Sequence, residues 1–181
     1  MQTSQSAPST ALLVVDLQEW IVDLSLVPRT GAEIVHECAR LVAACAAAGI
    51  PVIPVRYLRE DGADGGEDAP ENRLVPQISP AAAKVLITKN GLDAFEGTAA
   101  DGRGLEDILR NDYGADSLII AGIATPHGVG VTAISAVQRG FHAAVISDAT
   151  GAGSDEEHEA ALAKMKSEGV VVLTAAAVSL S

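Results

Sequence analysis

The chain has 181 residues, of which 48% are hydrophobic and 3% aromatic, and its formal net charge is -12. This length fits one domain with a substantial buried core. The negative charge repels a phosphate backbone, few aromatic side chains are present to stack on bases, and no apolar run approaches the ~20 residues that cross a membrane. We therefore expect neither nucleic acid nor membrane as a partner, and a small molecule as the substrate or ligand.

Short apolar runs alternate with longer segments of helical periodicity, which is the pattern of βαβ units in a parallel sheet. The runs are continuously apolar, as is typical of strands covered on both faces. In chain order, the pattern predicts a strand at 11–15, a helix at 30–48, strands at 51–57 and 84–88, a helix at 105–109, a strand at 117–121, a helix at 129–137, a strand at 141–147, a helix at 154–165 and a strand at 170–173. The fold class is α/β: a single-domain, doubly wound sheet of about six mostly parallel strands with helices on both faces.

Local signals support two of these helices and predict one long loop. Thr30 with Glu33, and Ser154 with Glu157, have the spacing of a capping box. Residues 60–82 are rich in glycine, proline and acidic side chains. Loops of this length are usually lids or flexible segments, so we expect a long excursion over the surface.

The chain start and the two cysteines indicate the domain limits and the compartment. Residues 1–10 are polar and are predicted to form a flexible tail without a secretory signal, which leaves residues 11–181 as one domain. Cys38 and Cys45 lie seven residues apart in the predicted helix, a separation of about 10 Å that is too long for a disulfide. They are predicted to be buried thiols in a reducing cytoplasm.

Three predicted strands end in features that can carry chemistry. Asp16 follows the first strand, Lys89 follows VLIT, and a glycine-rich turn at 122–133 follows SLIIA. In open parallel sheets the ligand binds beyond the carboxyl ends of the strands, so these features are expected to converge. A buried Asp16–Lys89 pair would suit either a structural salt bridge or a tuned proton donor or acceptor. The turn is compatible with an anion-binding backbone or with an ordinary strand-to-helix connection.

Three motifs occur in this order: LLVVDLQ around Asp16, TKNGLDAFEGT around Lys89, and GIATPHGVGVTAISA. Over nearly the whole chain they resemble the isochorismatase-like cysteine hydrolases, which work with an Asp, a Lys and a Cys. Gly128 stands at the cysteine position. The resemblance implies Asp16, Lys89 and Gly128 as the catalytic positions, and the backbone amides of Ala124 and Gly128 as an oxyanion hole. It also implies a homo-oligomer, and a cis peptide bond within 122–125.

Gly128 offers no nucleophile, so the amide-cleaving chemistry of the family does not carry over intact. Members with glycine here hydrolyse the vinyl ether of isochorismate or its amino analogue by acid catalysis. The resemblance therefore implies a hydrolase that cleaves a small anionic enol ether, such as isochorismate, to pyruvate plus a dihydrodiol by acid–base chemistry of Asp16. Those members usually have Arg-Tyr-Ser-Ala-Phe after the lysine, whereas this chain has Gly91-Leu92-Asp93-Ala94-Phe95. The alternatives are a catalytically silent relative that binds a small molecule or partner, and a small-amide hydrolase that uses His127 or water.

Several side chains near these motifs are candidates for substrate binding: Trp20, Arg56, Tyr57, Phe95 and His127. Structural roles are also open to them, because a tryptophan can belong to the core, an arginine can be solvated and His127 can point away from the cleft. The zinc-binding branch of the family has an Asp-x-His motif after the second strand, where this chain has Val55-Arg56-Tyr57. The four histidines show no ligand spacing, so we expect no metal and no other cofactor.

Overall fold

Strands and helices alternate through the described part of the chain. The structure is a computed structural model that describes residues 9–78 and 84–180. Its elements in chain order are β1 (Ser9–Val15), α1 (Glu19–Val22), α2 (Gly31–Ala47), β2 (Val52–Tyr57), β3 (Ile87–Lys89), α3 (Leu105–Asp107), β4 (Ala115–Ile123), α4 (Gly130–Gln138), β5 (His142–Gly151), α5 (Asp155–Ser167) and β6 (Val171–Leu173).

These strands form a 6-stranded sheet in the order β3-β2-β1-β4-β5-β6. Every pairing between neighbouring strands is parallel. Strands β2 and β3 are added on one side of β1, and β4, β5 and β6 on the other. The strand order therefore reverses between β1 and β4, and the carboxyl ends of these two central strands form the switch point where ligands bind in such sheets. The predicted α/β sheet is confirmed.

Two apolar layers cover the sheet, because consecutive residues of a strand point to opposite faces. Leu12 and Val14 belong to the layer that packs against α2. Leu13 and Val15 belong to the layer that includes side chains of α4 and α5. Helices therefore lie on both faces, which explains why β1 is continuously apolar.

The indicated capping box is complete at the start of α2, and one of its two hydrogen bonds is present at the start of α5. The Thr30 hydroxyl accepts from the backbone N–H of Glu33, and the Glu33 carboxylate accepts from the Thr30 N–H at 2.8 Å. At the start of α5 the Glu157 N–H donates to the Ser154 hydroxyl at 3.1 Å. Both cysteines are buried and free, as expected.

Several predicted boundaries shift. β1 begins at Ser9, so the last two residues of the predicted tail lie in the sheet, and residues 1–8 lie outside the described part of the chain. β3 pairs only Ile87–Lys89 with β2, which makes it shorter and later than the predicted strand at 84–88. The excursion after β2 contains single-turn helices up to Ile78, and its last predicted residues, 79–82, lie outside the described residues.

Candidate active site

The central feature of the cleft is an ion pair between the ends of two strands. Asp16 directly follows β1 and adopts a left-handed backbone with φ 54°, a region that aspartate tolerates better than most residues. Lys89 is the last residue of β3. Its Nζ donates to Asp16 Oδ2 at 2.7 Å and to the Gly91 carbonyl at 3.1 Å. Both side chains are buried, so the pair is enclosed by protein.

Burial dominates the electrostatics of Asp16. Desolvation raises the pKa of Asp16 to about 6, although the neighbouring Lys89 ammonium acts in the opposite direction. The two carboxyl oxygens are unequal, because Oδ2 is held by Lys89 whereas Oδ1 has no hydrogen-bond partner among the described residues. A proton on Asp16 is therefore best carried on Oδ1. A carboxyl group that titrates about 6 exists in both protonation states near neutral pH.

Gly122 allows β4 to approach β1 closely enough to complete the site. Its φ is +122°, and a Cβ there would lie 2.1 Å from the Val15 carbonyl oxygen. No larger residue fits without moving one of the two central strands. This close approach brings the turn after β4 against the end of β1, which Asp16 directly follows.

The turn after β4 presents its backbone to Asp16. The Ile123–Ala124 peptide bond is cis, within the stretch where the family resemblance places one. At Gly128 a Cβ would lie 2.9 Å from Asp16 Oδ2 and 3.0 Å from a methyl group of Val15. The glycine therefore leaves room for the Asp16 carboxyl group in its present position, which a side chain would displace.

A cavity of about 190 Å³ opens above the ion pair. Its polar floor is the Asp16–Lys89 pair, and its walls are mainly apolar. The lining residues are Asp16, Trp20, Ile21, Leu24, Tyr57, Lys89, Leu92, Ile123, Ala124, His127 and Gly128. Its volume suits a small ligand, and its apolar walls strengthen charge interactions at the ion pair relative to bulk water.

Three of the five predicted substrate-binding side chains line this cavity: Trp20, Tyr57 and His127. Trp20 stands at its mouth with 40% of its surface exposed. The Tyr57 ring centroid lies 5.4 Å from Lys89 Nζ, a cation–π distance. His127 is exposed and is among the residues that line the cleft.

The structure does not bring Arg56 and Phe95 to the cavity. Arg56 donates to the Glu67 carboxylate at 2.6 Å and to the Thr88 hydroxyl at 2.9 Å. Phe95 is buried in the core, with its ring centroid 5.7 Å from that of Phe141. Each side chain has local partners that hold it outside the cavity lining.

Sequence reasoning missed the residue that fixes Tyr57. The Gln18 side chain accepts from the Tyr57 N–H at 2.7 Å and donates to the Tyr57 carbonyl at 2.9 Å. It also donates to the Asn72 carbonyl at 3.1 Å. The available sequence signal was a glutamine two residues after Asp16, close to the end of an apolar run. The structure buries it, and buried amides must find partners. The apolar walls formed by Ile21 and Leu92 were also missed, because apolar residues carry no chemical signature.

Neither a metal centre nor a membrane segment stands out in the described residues. Among residues 9–78 and 84–180, no group of three or more His, Cys, Asp or Glu side chains is arranged to hold a metal ion. The helices in these same ranges are too short or too polar to cross a bilayer.

Comparison with known proteins agrees with the geometry. Residues 10–177 match the Isochorismatase domain family. The chain belongs to the isochorismatase family. The isochorismatase family protein YecD of Escherichia coli O157:H7 is 34% identical over 172 residues, which covers 84% of this chain and 85% of that protein.

A further relative and a solved structure extend this comparison. Maleamate amidohydrolase of Pseudomonas putida is 27% identical over 155 residues, covering 77% of this chain and 70% of that protein. A solved isochorismatase-family structure from Chromobacterium violaceum superimposes with a TM-score of 0.79 at 28% identity, covering 95% of this chain and 92% of its own. The protein is therefore an isochorismatase-family hydrolase with the α/β fold of that family.

Proposed function

We propose that this isochorismatase-family hydrolase cleaves a small enol ether that carries a carboxylate, with Asp16 as the proton donor. The observation that carries the proposal is the buried Asp16 carboxyl group, whose pKa is raised to about 6 in a cleft where Gly128 provides no nucleophile. An enol ether suits this site because its cleavage begins with a proton and needs no covalent intermediate.

The proposed reaction uses Asp16 first as an acid and then as a base. The Oδ1 proton passes to the terminal methylene carbon, and the electrons of the carbon–carbon double bond form the new carbon–hydrogen bond. The substrate is then an oxocarbenium ion. Water adds to this ion and its proton returns to the Asp16 carboxylate. In the resulting hemiketal, the bond between the former enol carbon and the ether oxygen breaks while the hydroxyl proton is transferred to that oxygen, which releases the alcohol and leaves a keto acid. For an enolpyruvyl ether the products are pyruvate and an alcohol, and the atoms balance with one water consumed.

Lys89 has a matching role in this proposal. Protonation of Asp16 removes the negative charge that Lys89 faces, so the ammonium is then available to a substrate carboxylate. That carboxylate in turn disfavours ionisation of Asp16, which keeps the acid protonated in the complex. Lys89 thus exchanges the Asp16 carboxylate for the substrate carboxylate, and no buried charge is left unpaired.

The charge of the cleft favours one substrate carboxylate over two. Among the lining residues that the structure describes, Lys89 is the only lysine or arginine. Arg56, a sequence-based candidate for substrate binding, is paired with Glu67. A second carboxylate would lose its hydration without gaining a cation, which is costly in a cleft with apolar walls. We therefore expect a monocarboxylate enol ether to be cleaved faster than isochorismate, which has two carboxylates.

The direct test compares the wild type with Asp16→Asn on both substrates and follows keto-acid release. The variant is expected to lose about 10²- to 10⁴-fold in kcat, the usual contribution of general acid–base catalysis. Asp116→Asn is the matched control, because it makes the same chemical change at an exposed position on β4. Equal turnover by Asp16→Asn and the wild type, after spontaneous decay is subtracted, would refute the proposed mechanism.

Amide hydrolysis is a second candidate, supported by the similarity to maleamate amidohydrolase and by the position of His127 in the cleft. Here His127 or Asp16 would activate water in place of the missing thiol. Ammonia release from small amides tests this candidate, with His127→Gln as the diagnostic variant.

If the protein is instead a catalytically silent relative, it would bind such compounds without turnover. The fluorescence of Trp20, the single tryptophan, would report that binding.

A further inference from the structure

A chain of three buried polar side chains lies behind the turn that forms one wall of the cleft. The Thr125 hydroxyl is 3.1 Å from the Thr150 hydroxyl and 2.9 Å from His158 Nδ1. All three side chains are buried, with exposed fractions of 0%, 0% and 3% for Thr125, Thr150 and His158. Buried polar groups in such contacts are strongly interdependent, because water does not replace a lost partner.

These contacts join three elements that are distant in sequence. Thr125 begins the turn Thr125–Val129, Thr150 lies near the carboxyl end of β5, and His158 lies in the first turns of α5. None of the three side chains lines the cleft, whereas the turn residues Ala124 and Gly128 do. The turn therefore faces the ligand with its backbone and is held from the opposite side by Thr125.

The chemistry of the three groups favours a fixed geometry. Burial holds the pKa of His158 below its ordinary range, so the imidazole is neutral at neutral pH. A neutral Nδ1 either accepts from Thr125 or donates to it, and the hydroxyl between His158 and Thr150 can be satisfied in either tautomer. The contact needs a hydroxyl at 125, which a purely apolar side chain of the same shape does not supply.

We infer that Thr125, Thr150 and His158 act together as positioning residues that hold the Ala124–Gly128 backbone in register with Asp16. Tethering is needed because the turn is not a regular helix: His127 has non-helical backbone angles of φ -108° and ψ -111°. Without a tether, the backbone beside Asp16 could relax away from the cleft. Small displacements of substrate-positioning groups are enough to reduce a rate by about a hundredfold.

The kinetic test compares Thr125→Val, which keeps the shape and removes the hydroxyl, with Thr125→Ser, which keeps the hydroxyl. Thr125→Val is expected to lower kcat by about tenfold to a hundredfold with less than about a threefold change in KM, and Thr125→Ser is expected to restore most of kcat. Thr132→Val is the control, because the buried Thr132 hydroxyl accepts from the Ala94 N–H at 3.0 Å, outside this chain of contacts. Equal kcat losses in Thr125→Val and Thr132→Val would overturn the inference.

The catalytic part of this inference rests on the proposed function, so a second measurement avoids turnover altogether. In ¹H–¹⁵N spectra of the unliganded protein, Thr125→Val is expected to shift the amide resonances of Ala124, His127 and Gly128. Thr125→Ser and Thr132→Val are expected to leave them near their wild-type positions. Unmoved resonances in folded Thr125→Val would refute the positioning role, whatever substrate the enzyme takes. Shifted resonances in a protein that cleaves no enol ether would instead refute only the proposed function.

Discussion

Enol-ether cleavage should become faster as the pH falls through about 6, because only the protonated form of Asp16 can donate its proton. Burial raises the pKa of Asp16 from 3.8 to about 6 in the folded protein. The active form is therefore the acid, and activity is lost as the pH rises through this value. An ordinary exposed aspartate would place the same loss about two pH units lower.

The size of the effect follows from the titration curve. With a pKa of about 6, the protonated fraction is roughly one half at pH 6, roughly one tenth at pH 7 and roughly one hundredth at pH 8. We therefore expect kcat/KM to rise about tenfold from pH 8 to 7 and about fivefold from pH 7 to 6, and to level off below that.

The assay measures keto-acid release from a monocarboxylate enol ether between pH 5 and 8 at constant ionic strength. The rate with Asp16→Asn is subtracted at each pH, because enol ethers also hydrolyse spontaneously in acid. A rate that increases with pH across this range would contradict the acid role and favour general-base activation of water, as the amide alternative requires. A profile that is flat through pH 6 would show that Asp16 protonation does not limit the reaction.

Three further substitutions test separate parts of the site. Lys89→Met should raise KM for the carboxylate substrate about tenfold or more. It should also raise the pH at which activity is lost, because the Lys89 ammonium lowers the pKa of Asp16. An unchanged KM in steady-state kinetics would contradict this. Gly128→Ala should lower turnover at least about tenfold and lower the free energy of unfolding by about 1–3 kcal/mol, because a Cβ at residue 128 would lie 2.9 Å from Asp16 Oδ2. Steady-state kinetics and urea unfolding measure these two effects, and wild-type turnover would argue against this steric limit. Phe95→Leu should lower the free energy of unfolding by about 1–2 kcal/mol without changing KM, since Phe95 packs in the core. A raised KM would indicate that Phe95 contacts the substrate after all.

Much of the fold could be predicted from the sequence because its signals are local. The continuous apolar run of β1 indicated a strand covered on both faces, and Thr30 with Glu33 indicated where α2 begins. Such patterns arise because the helix and strand periods decide which residues share a face. Boundaries were less certain where tertiary contacts set them, as at β3, where only three residues pair with β2.

The candidate site was predictable where a residue has both a chemical identity and a place at a strand end. Asp16 and Lys89 meet these conditions, and the structure brings them together. Gly128 was identified through the resemblance to the family, and it lies against Asp16. Arg56 is a candidate because of its charge, and Phe95 because of its place in the motif around Lys89. Their directions depend on partners that local sequence does not indicate, namely Glu67 for Arg56 and Phe141 for Phe95.

The sequence by itself determined the sheet, the order of the motifs and the absence of a thiol at residue 128. Only the tertiary structure decided the competition at Asp16, where desolvation outweighs the attraction of Lys89 and raises the pKa. The same holds for the contact between Thr125 and His158, which are 33 residues apart. The physical reason is that periodicity and capping are properties of neighbouring residues, whereas desolvation and buried hydrogen bonds depend on every group that the folded chain brings around an atom.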